Sequence, residues 1–200
     1  MFRSAFFVAS VLCIGTAFQS SLAQHDMHAM HSDAGHGSSE MSSMSMTDIS
    51  DVSFDFELFS GESQVHTRED FSGENLLVAF GFTQCVHVCP LIAANMANTL
   101  KIAPANTRGI FISVDTERDT PEITQNYATS FHSNMVGLTG SYDKVSEAAQ
   151  NFNTTFVVTK SQDNYTVQHS PNIFLISPEG ELIDVFAINT PPEQIVASIR

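Results

Sequence analysis

The chain is short of positive charge: 8 lysines and arginines stand against 22 aspartates and glutamates, for a net charge of −14. That shortage excludes nucleic acid as a partner and excludes adhesion to anionic lipid, because both need a basic surface. It suits attraction of cations or of a basic partner. Cysteine is scarce too, with 3 in 200 residues. Long apolar runs are also missing. The stretch from Ala5 to Phe18, broken by Ser10, Gly15 and Thr16, falls short of the ~20 residues of a comfortable membrane span. No internal repeat is present.

That first stretch reads as the core of a secretory leader. Arg3 supplies the positive start, and Ser21-Leu22-Ala23 offers small residues at the two positions a signal peptidase reads. Cleavage is expected after Ala23, so 1–23 is a signal peptide; its retention as an inner-membrane anchor is the alternative. Lipidation of Cys13 is not expected, because Leu12 before it is too bulky for the usual lipobox. Export to the periplasm changes how the cysteines read. Cleavage removes Cys13 and the leader's lone charge, Arg3, leaving a chain of net charge −15 with the pair Cys85 and Cys89. In an oxidising compartment such a pair is a disulfide, a metal site or a redox couple. A structural staple is the weakest of these readings. Its stabilisation grows with the loop it closes, and here 3 residues separate the sulfurs.

Residues 24–50 contain almost no large apolar side chains. They cannot bury enough surface to offset the entropy of ordering, so a disordered arm is expected. The arm is nonetheless unusual. It holds His25, His28, His31 and His36 and Met27, Met30, Met41, Met44 and Met46, which is 4 of the chain's 8 histidines and 5 of its 8 methionines. Imidazole and thioether are copper ligands, the thioether favouring Cu(I). Auxiliary metal capture is the reading this composition favours over a plain solvated linker.

From Phe54 onward the pattern is globular, and 51–200 is expected to form one domain. Phe54, Phe56 and Leu58 alternate with Asp55 and Glu57, as in a half-buried strand. Leu76 to Phe82 is a continuous apolar run, as in a strand covered on both faces. A helix is expected from Cys89 to about Ala103, with Pro90 in its first turn. A second buried strand covers Gly109 to Val114. Thr120 is a good N-cap and Pro121 a good first residue for a helix to about Phe131. A short strand at Met135–Leu138 and a helix at Tyr142–Phe152 follow. Thr154–Thr159 and Tyr165–Gln168 read as a hairpin. Strands Asn172–Ile176 and Glu181–Phe186 are joined by the turn Ser177-Pro178-Glu179-Gly180, and a helix closes the chain from Pro191. This order predicts an α/β fold with a central mixed sheet flanked by helices: parallel strands early, antiparallel strands late, and an inserted hairpin.

The sharpest local feature is Gly81-Phe82-Thr83-Gln84-Cys85-Val86-His87-Val88-Cys89-Pro90. A buried strand ends, a short loop follows, and a helix begins at the second cysteine. Functional sites in open α/β sheets lie off the carboxyl ends of strands. A helix N-terminus offers free amides and partial positive charge, which lower a thiol's pKa. Thioredoxin-like redox motifs usually have two residues between the cysteines, and this loop has three. Two cysteines alone do not complete a zinc site, whereas Cu(I) is satisfied by two thiolates and one imidazole. His66, His87, His132 and His169 are the candidates for that imidazole. His169 ends the hairpin just before a buried strand, which can bring it beside the loop; a hydrogen-bonded loop histidine is the plainer reading. His87 is expected to be an exposed loop tip. Asp115, Arg118 and Asp119 read as an ion pair and a cap rather than as a partner contact.

Three segments carry a family resemblance. Gly81–Pro90 resembles the copper loop of the Sco (SenC) family. Val114-Asp115-Thr116-Glu117-Arg118-Asp119-Thr120-Pro121 is similar to that family's strand-to-helix signature. Tyr165-Thr166-Val167-Gln168-His169-Ser170 is similar to the segment that supplies its histidine ligand. The matches come in the family's order and cover residues 52–200. The resemblance implies a thioredoxin fold that binds Cu(I) or Cu(II) through Cys85, Cys89 and His169. It also implies a role in maturing the binuclear copper site of cytochrome c oxidase. The oxidase's copper-site subunit or another cuproprotein, and other copper chaperones, are then the expected partners. There are departures: Val86 and His87 stand where the family commonly has proline and an acid, and Gln168 stands where it commonly has aspartate. A carboxylate there would orient the imidazole; Gln168 brings no charge. Two other functions are open. One is a thiol–disulfide oxidoreductase with Cys85 and Cys89 catalytic; the other is a copper-scavenging resistance protein acting through the arm. A cis Ser170–Pro171 bond would favour the first of these, although trans is the default.

Overall fold

The apolar run predicted at Leu76–Phe82 is the middle of the sheet, and the rest of the structure is arranged about it. The computed structural model describes residues 53–161 and 165–199; the leader and the His/Met-rich arm lie outside them. The strands are β1 Glu57–Ser60, β2 Gln64–Thr67, β3 Asn75–Gly81, β4 Thr107–Ser113, β5 Met135–Leu138, β6 Phe156–Lys160, β7 Tyr165–His169, β8 Asn172–Ile176 and β9 Leu182–Ala187. The helices are α1 Val88–Ile102, α2 Pro121–Phe131, α3 Tyr142–Asn151 and α4 Pro192–Ser198. Among the described residues no helix is long and apolar enough to cross a membrane.

Five strands form the main sheet in the order β5-β4-β3-β8-β9. β3, β4 and β5 run parallel, and β8 and β9 pair antiparallel, as the order of elements predicts. Because successive side chains of β3 point to opposite faces, the strand feeds two cores. Leu76, Val78 and Phe80 pack with Phe152, Phe174 and α3 on one face. Leu77 and Ala79 pack with Cys89, Met96, Phe111 and Ile195 on the other, under α1 and α4. Both faces are apolar because both are covered.

The predicted caps hold. Thr120 Oγ1 accepts the Ile123 amide at the start of α2, with Pro121 in its first turn. Ser177–Gly180 is the expected turn, with Gly180 at φ +91° and its amide on Ser177 O. The Ser170–Pro171 bond is trans.

The start of the domain differs from expectation. Phe54, Phe56 and Leu58 are buried as predicted, but the strand begins only at Glu57 and folds back on β2 as a hairpin. Phe54 at φ +50° breaks the extended backbone before it, and Gly61 and Ser63, also at positive φ, make the turn after it. The predicted hairpin forms as β6–β7, a two-stranded sheet separate from the five-stranded one. His169 is its last residue, paired with Phe156.

Candidate metal centre

β3 ends at Gly81, and the chain then loops over residues 82–87 before α1 starts at Val88. Gly81 is required by close approach. A Cβ there would come within 2.7 Å of the Phe111 ring and 3.2 Å of Cys89 Sγ. The loop is pinned by a buried carboxylate from another element. Asp119 accepts the Thr83 amide at 2.7 Å, the Thr83 hydroxyl at 2.6 Å and the Ser113 hydroxyl at 2.6 Å. Such charge-assisted bonds are short and strong, and they offset the cost of burying the acid.

Cys89 lies in the first turn of α1, fully buried, and Cys85 is half-buried on the loop; both thiols are free. The Cys89 amide donates to Cys85 Sγ at 3.4 Å, so the helix start stabilises negative charge on that sulfur. The two pKa values are driven apart. Burial pushes the Cys85 thiol up, but the amide and thiol of Cys89 and the amides of His87 and Val88 outweigh it, leaving the pKa below the ordinary 9.0. Burial, then the neighbouring Cys85, push Cys89 up to about 12.

His169 Nε2 stands 3.4 Å from Cys89 Sγ. Its Nδ1 lies 3.2 Å from the carbonyl oxygen of Ser170. A carbonyl only accepts, so Nδ1 carries the proton and Nε2 presents its lone pair to the sulfur. Burial lowers the His169 pKa against the opposing pull of the Ser170 carbonyl. The ring is therefore neutral at pH 7, and protons displace a ligand from Nε2 only in acid. Phe82 meets the ring edge-on with centroids 6.1 Å apart. Gln168, which the resemblance singles out, is exposed; the Ser170 carbonyl does the orienting in its place.

The other histidines among the described residues are engaged elsewhere or exposed. His66 bonds the Ser60 hydroxyl, and His132 Nδ1 accepts the Asn134 amide. His87 is exposed just ahead of α1. Among the described residues no three His, Cys, Asp or Glu groups are gathered at ligating distance; Cys89 is in contact with His169 through its sulfur and with Cys85 through its amide and thiol. The arm residues His25, Met27, His28, Met30, His31, His36, Met41, Met44 and Met46 lie outside the described residues.

The contacts of five residues around the site escape a reading of the sequence. Asp119 and Thr83, 36 positions apart, have no local signal for their contact. Asp115 bonds Tyr165 across 50 positions. Tyr127 packs tilted against Phe111 and edge-on against Phe131, with ring centroids 5.0 and 5.1 Å away. Its hydroxyl is buried without a hydrogen-bond partner among the described residues. Burial, then the nearby Cys89, raises its pKa. Only its aromatic character, three residues after Thr124 on the inner side of α2, hints at packing.

A consequence can be checked directly. The thiolate is the nucleophile, so reactivity switches on as pH rises through each thiol's pKa. In the reduced, metal-free chain at pH 8, iodoacetamide is expected to label Cys85 and spare Cys89. Mass mapping of the labelled peptides reads the outcome, and equal labelling would contradict the asymmetry.

A mixed sheet with a cysteine pair between its central strand and the following helix defines a thioredoxin-like protein. The SCO1/SenC family pattern matches residues 44–200, and the chain belongs to that family. It is 34% identical over 153 residues to the mitochondrial SCO2 homolog of Mus musculus, covering 73% of this chain and 60% of that protein. The chain spans three-fifths or less of the first curated relatives it matches. Among solved structures, Arabidopsis thaliana ScoI with copper bound is 29% identical with a TM-score of 0.65, covering 73% of this chain and 94% of that one. BsSco is a member of the Sco family of cytochrome c oxidase assembly proteins in which a disulfide switch has been identified. It is 28% identical with a TM-score of 0.58, covering 72% of this chain and 88% of that one.

Proposed function

We propose that the protein is an exported copper metallochaperone that carries Cu(I) or Cu(II) on Cys85, Cys89 and His169 and serves the binuclear copper site of cytochrome c oxidase. The observation that carries this reading is the 3.4 Å between Cys89 Sγ and His169 Nε2. A thiolate and an imidazole bound to one ion at ~2.3 and ~2.1 Å stand roughly 3.5–4 Å apart, so the pair is already spaced for a shared ion. Cys85, with its lowered pKa, supplies the second thiolate. Two soft sulfurs and one neutral imidazole suit copper over harder metals. The copper-bound ScoI relative supports the same cargo.

The partners on this reading are the oxidase's copper-site subunit or another cuproprotein, and other copper chaperones. The location is the periplasm, at the inner membrane if the leader is retained. The His/Met-rich arm would gather copper for the centre. The split between a low-pKa, accessible Cys85 and a buried Cys89 also supports a second reading, a thiol–disulfide oxidoreductase. There Cys85 attacks a substrate disulfide and Cys89 resolves the mixed disulfide. The two thiols become one disulfide, and the substrate gains two electrons and two protons.

Copper titration of the reduced chain separates the two. The chaperone reading expects one copper per molecule and a thiolate–Cu(II) charge-transfer band. Rapid reduction of protein disulfides with no retained copper would replace it by the oxidoreductase. Deleting residues 24–50 tests scavenging: copper tolerance would collapse while oxidase assembly survived.

A further inference from the structure

The two halves of the candidate centre come from distant parts of the chain, yet one short segment, Asp115–Asp119, grips both. Asp119 holds the cysteine loop through Thr83. Asp115 holds the hairpin that carries the histidine. Its carboxylate is fully buried. Oδ1 accepts the Tyr165 phenol at 2.5 Å, and Oδ2 accepts Arg118 Nε at 2.5 Å and pairs with the same guanidinium through Nη2. The Arg118 guanidinium also lies over the Tyr165 ring, 4.0 Å from its centroid. Lys160, opposite Tyr165 on β6, forms an ion pair with Glu117. Tyr165 opens β7 and His169 closes it.

The hairpin needs such a grip. β6 and β7 form a two-stranded sheet apart from the five-stranded one, so no ladder ties them to the main sheet, and side-chain contacts such as those of Phe156 and Val167 with the core must hold the hairpin in place. The pull of a buried carboxylate on a phenol is strong because water does not compete for either group. Burial, then Asp115, hold the Tyr165 pKa up at about 12, so the phenol keeps its proton and remains a donor.

We propose that Asp115 and Tyr165 form a latch that sets the hairpin against the cysteine loop, making Tyr165 a positioning residue for copper that acts through His169. The inference rests on the reading that Cys85, Cys89 and His169 hold the copper. The segment thereby acts as a bracket: one acid places the thiols and the other places the imidazole.

The test uses the full reduced chain and four forms: unchanged, Tyr165→Phe, His169→Ala, and the double variant. Phenylalanine keeps the ring beneath Arg118 and removes only the hydroxyl. Cu(II) is withdrawn by a chelator of known affinity while the thiolate–Cu(II) band is followed. Loss of a group hydrogen-bonded directly to a metal ligand typically costs about 10–100-fold in affinity; Tyr165 acts at one remove, so Tyr165→Phe is expected to weaken binding by about 10-fold, the low end of that range. In the His169→Ala background the same change should cost nothing more, because two groups acting as one unit are not additive. Equal weakening in both backgrounds would overturn the latch in favour of a general effect on the fold. No weakening by Tyr165→Phe, while His169→Ala weakens binding, would overturn the latch and leave the ligand set standing. No weakening by His169→Ala would overturn both.

Discussion

Serine in place of Cys89 is expected to strip the protein of firmly held copper. In the proposed ligand set Cys89 is the central sulfur. It is fully buried, it meets His169 Nε2 at 3.4 Å, and its amide steadies Cys85. Serine nearly preserves the shape but replaces a soft, polarisable sulfur with a hard hydroxyl that does not ionise near neutrality. Copper of either oxidation state loses its anchoring thiolate. The affinity should fall by more than the ~100-fold that marks the upper range for an outer partner. The charge-transfer band of the Cu(II) form should vanish. His169→Ala is expected to be milder for Cu(I), which two thiolates satisfy, and more severe for Cu(II). Equilibrium competition with a chelator, run for each oxidation state, checks this order. Firm copper binding by Cys89→Ser would move the site elsewhere in the chain.

The largest loss of stability is expected from Phe152→Ala, on the face of the sheet away from Cys89. The Phe152 ring is 1% exposed and meets Phe54, Phe80 and Phe174 edge-on, with centroids 5.3, 5.4 and 5.4 Å away. Such edge contacts add to the burial of the ring, and their rigid partners on β3 and β8 are poorly placed to collapse into the space. Truncating a buried phenylalanine costs about 3–5 kcal/mol. For a domain of this size that is a fall of roughly 6–20 °C in Tm. Copper affinity per folded molecule should fall far less than stability, because Cys89 lies in the other core across the sheet, while Phe156 and Val167 of the hairpin that carries His169 pack on this one. Calorimetry with and without copper reads both parts; a loss below ~1 kcal/mol would show that the aromatic cluster repacks.

Most of the elements were legible because their signals are local. The buried run at Leu76–Phe82 has no polar alternation, and it is the strand covered on both faces. Thr120-Pro121 is a helix start, and it caps α2. The β1–β2 hairpin was not legible. Gln64-Val65-His66-Thr67 has one strongly apolar residue, itself half exposed, so β2 shows no inward face to read. The ion pair of Asp115 with Arg118 was expected from their spacing. Their second roles, toward Tyr165 and through Asp119 toward Thr83, were not, because a hydrogen bond between distant segments leaves no periodic trace.

By itself the sequence determined the family, the order of strands and helices, and the two cysteines at the start of a helix. Those follow from side-chain periodicity, turn chemistry and spacing, which act over a few residues. Only the tertiary structure decided that Cys89 is the buried sulfur and Cys85 the accessible one, that His169 rather than His66 or His132 reaches Cys89, and that a single acidic segment steadies both sides. Those outcomes depend on which surfaces exclude water and which strands come to lie side by side, and both are properties of the packed chain rather than of any stretch within it.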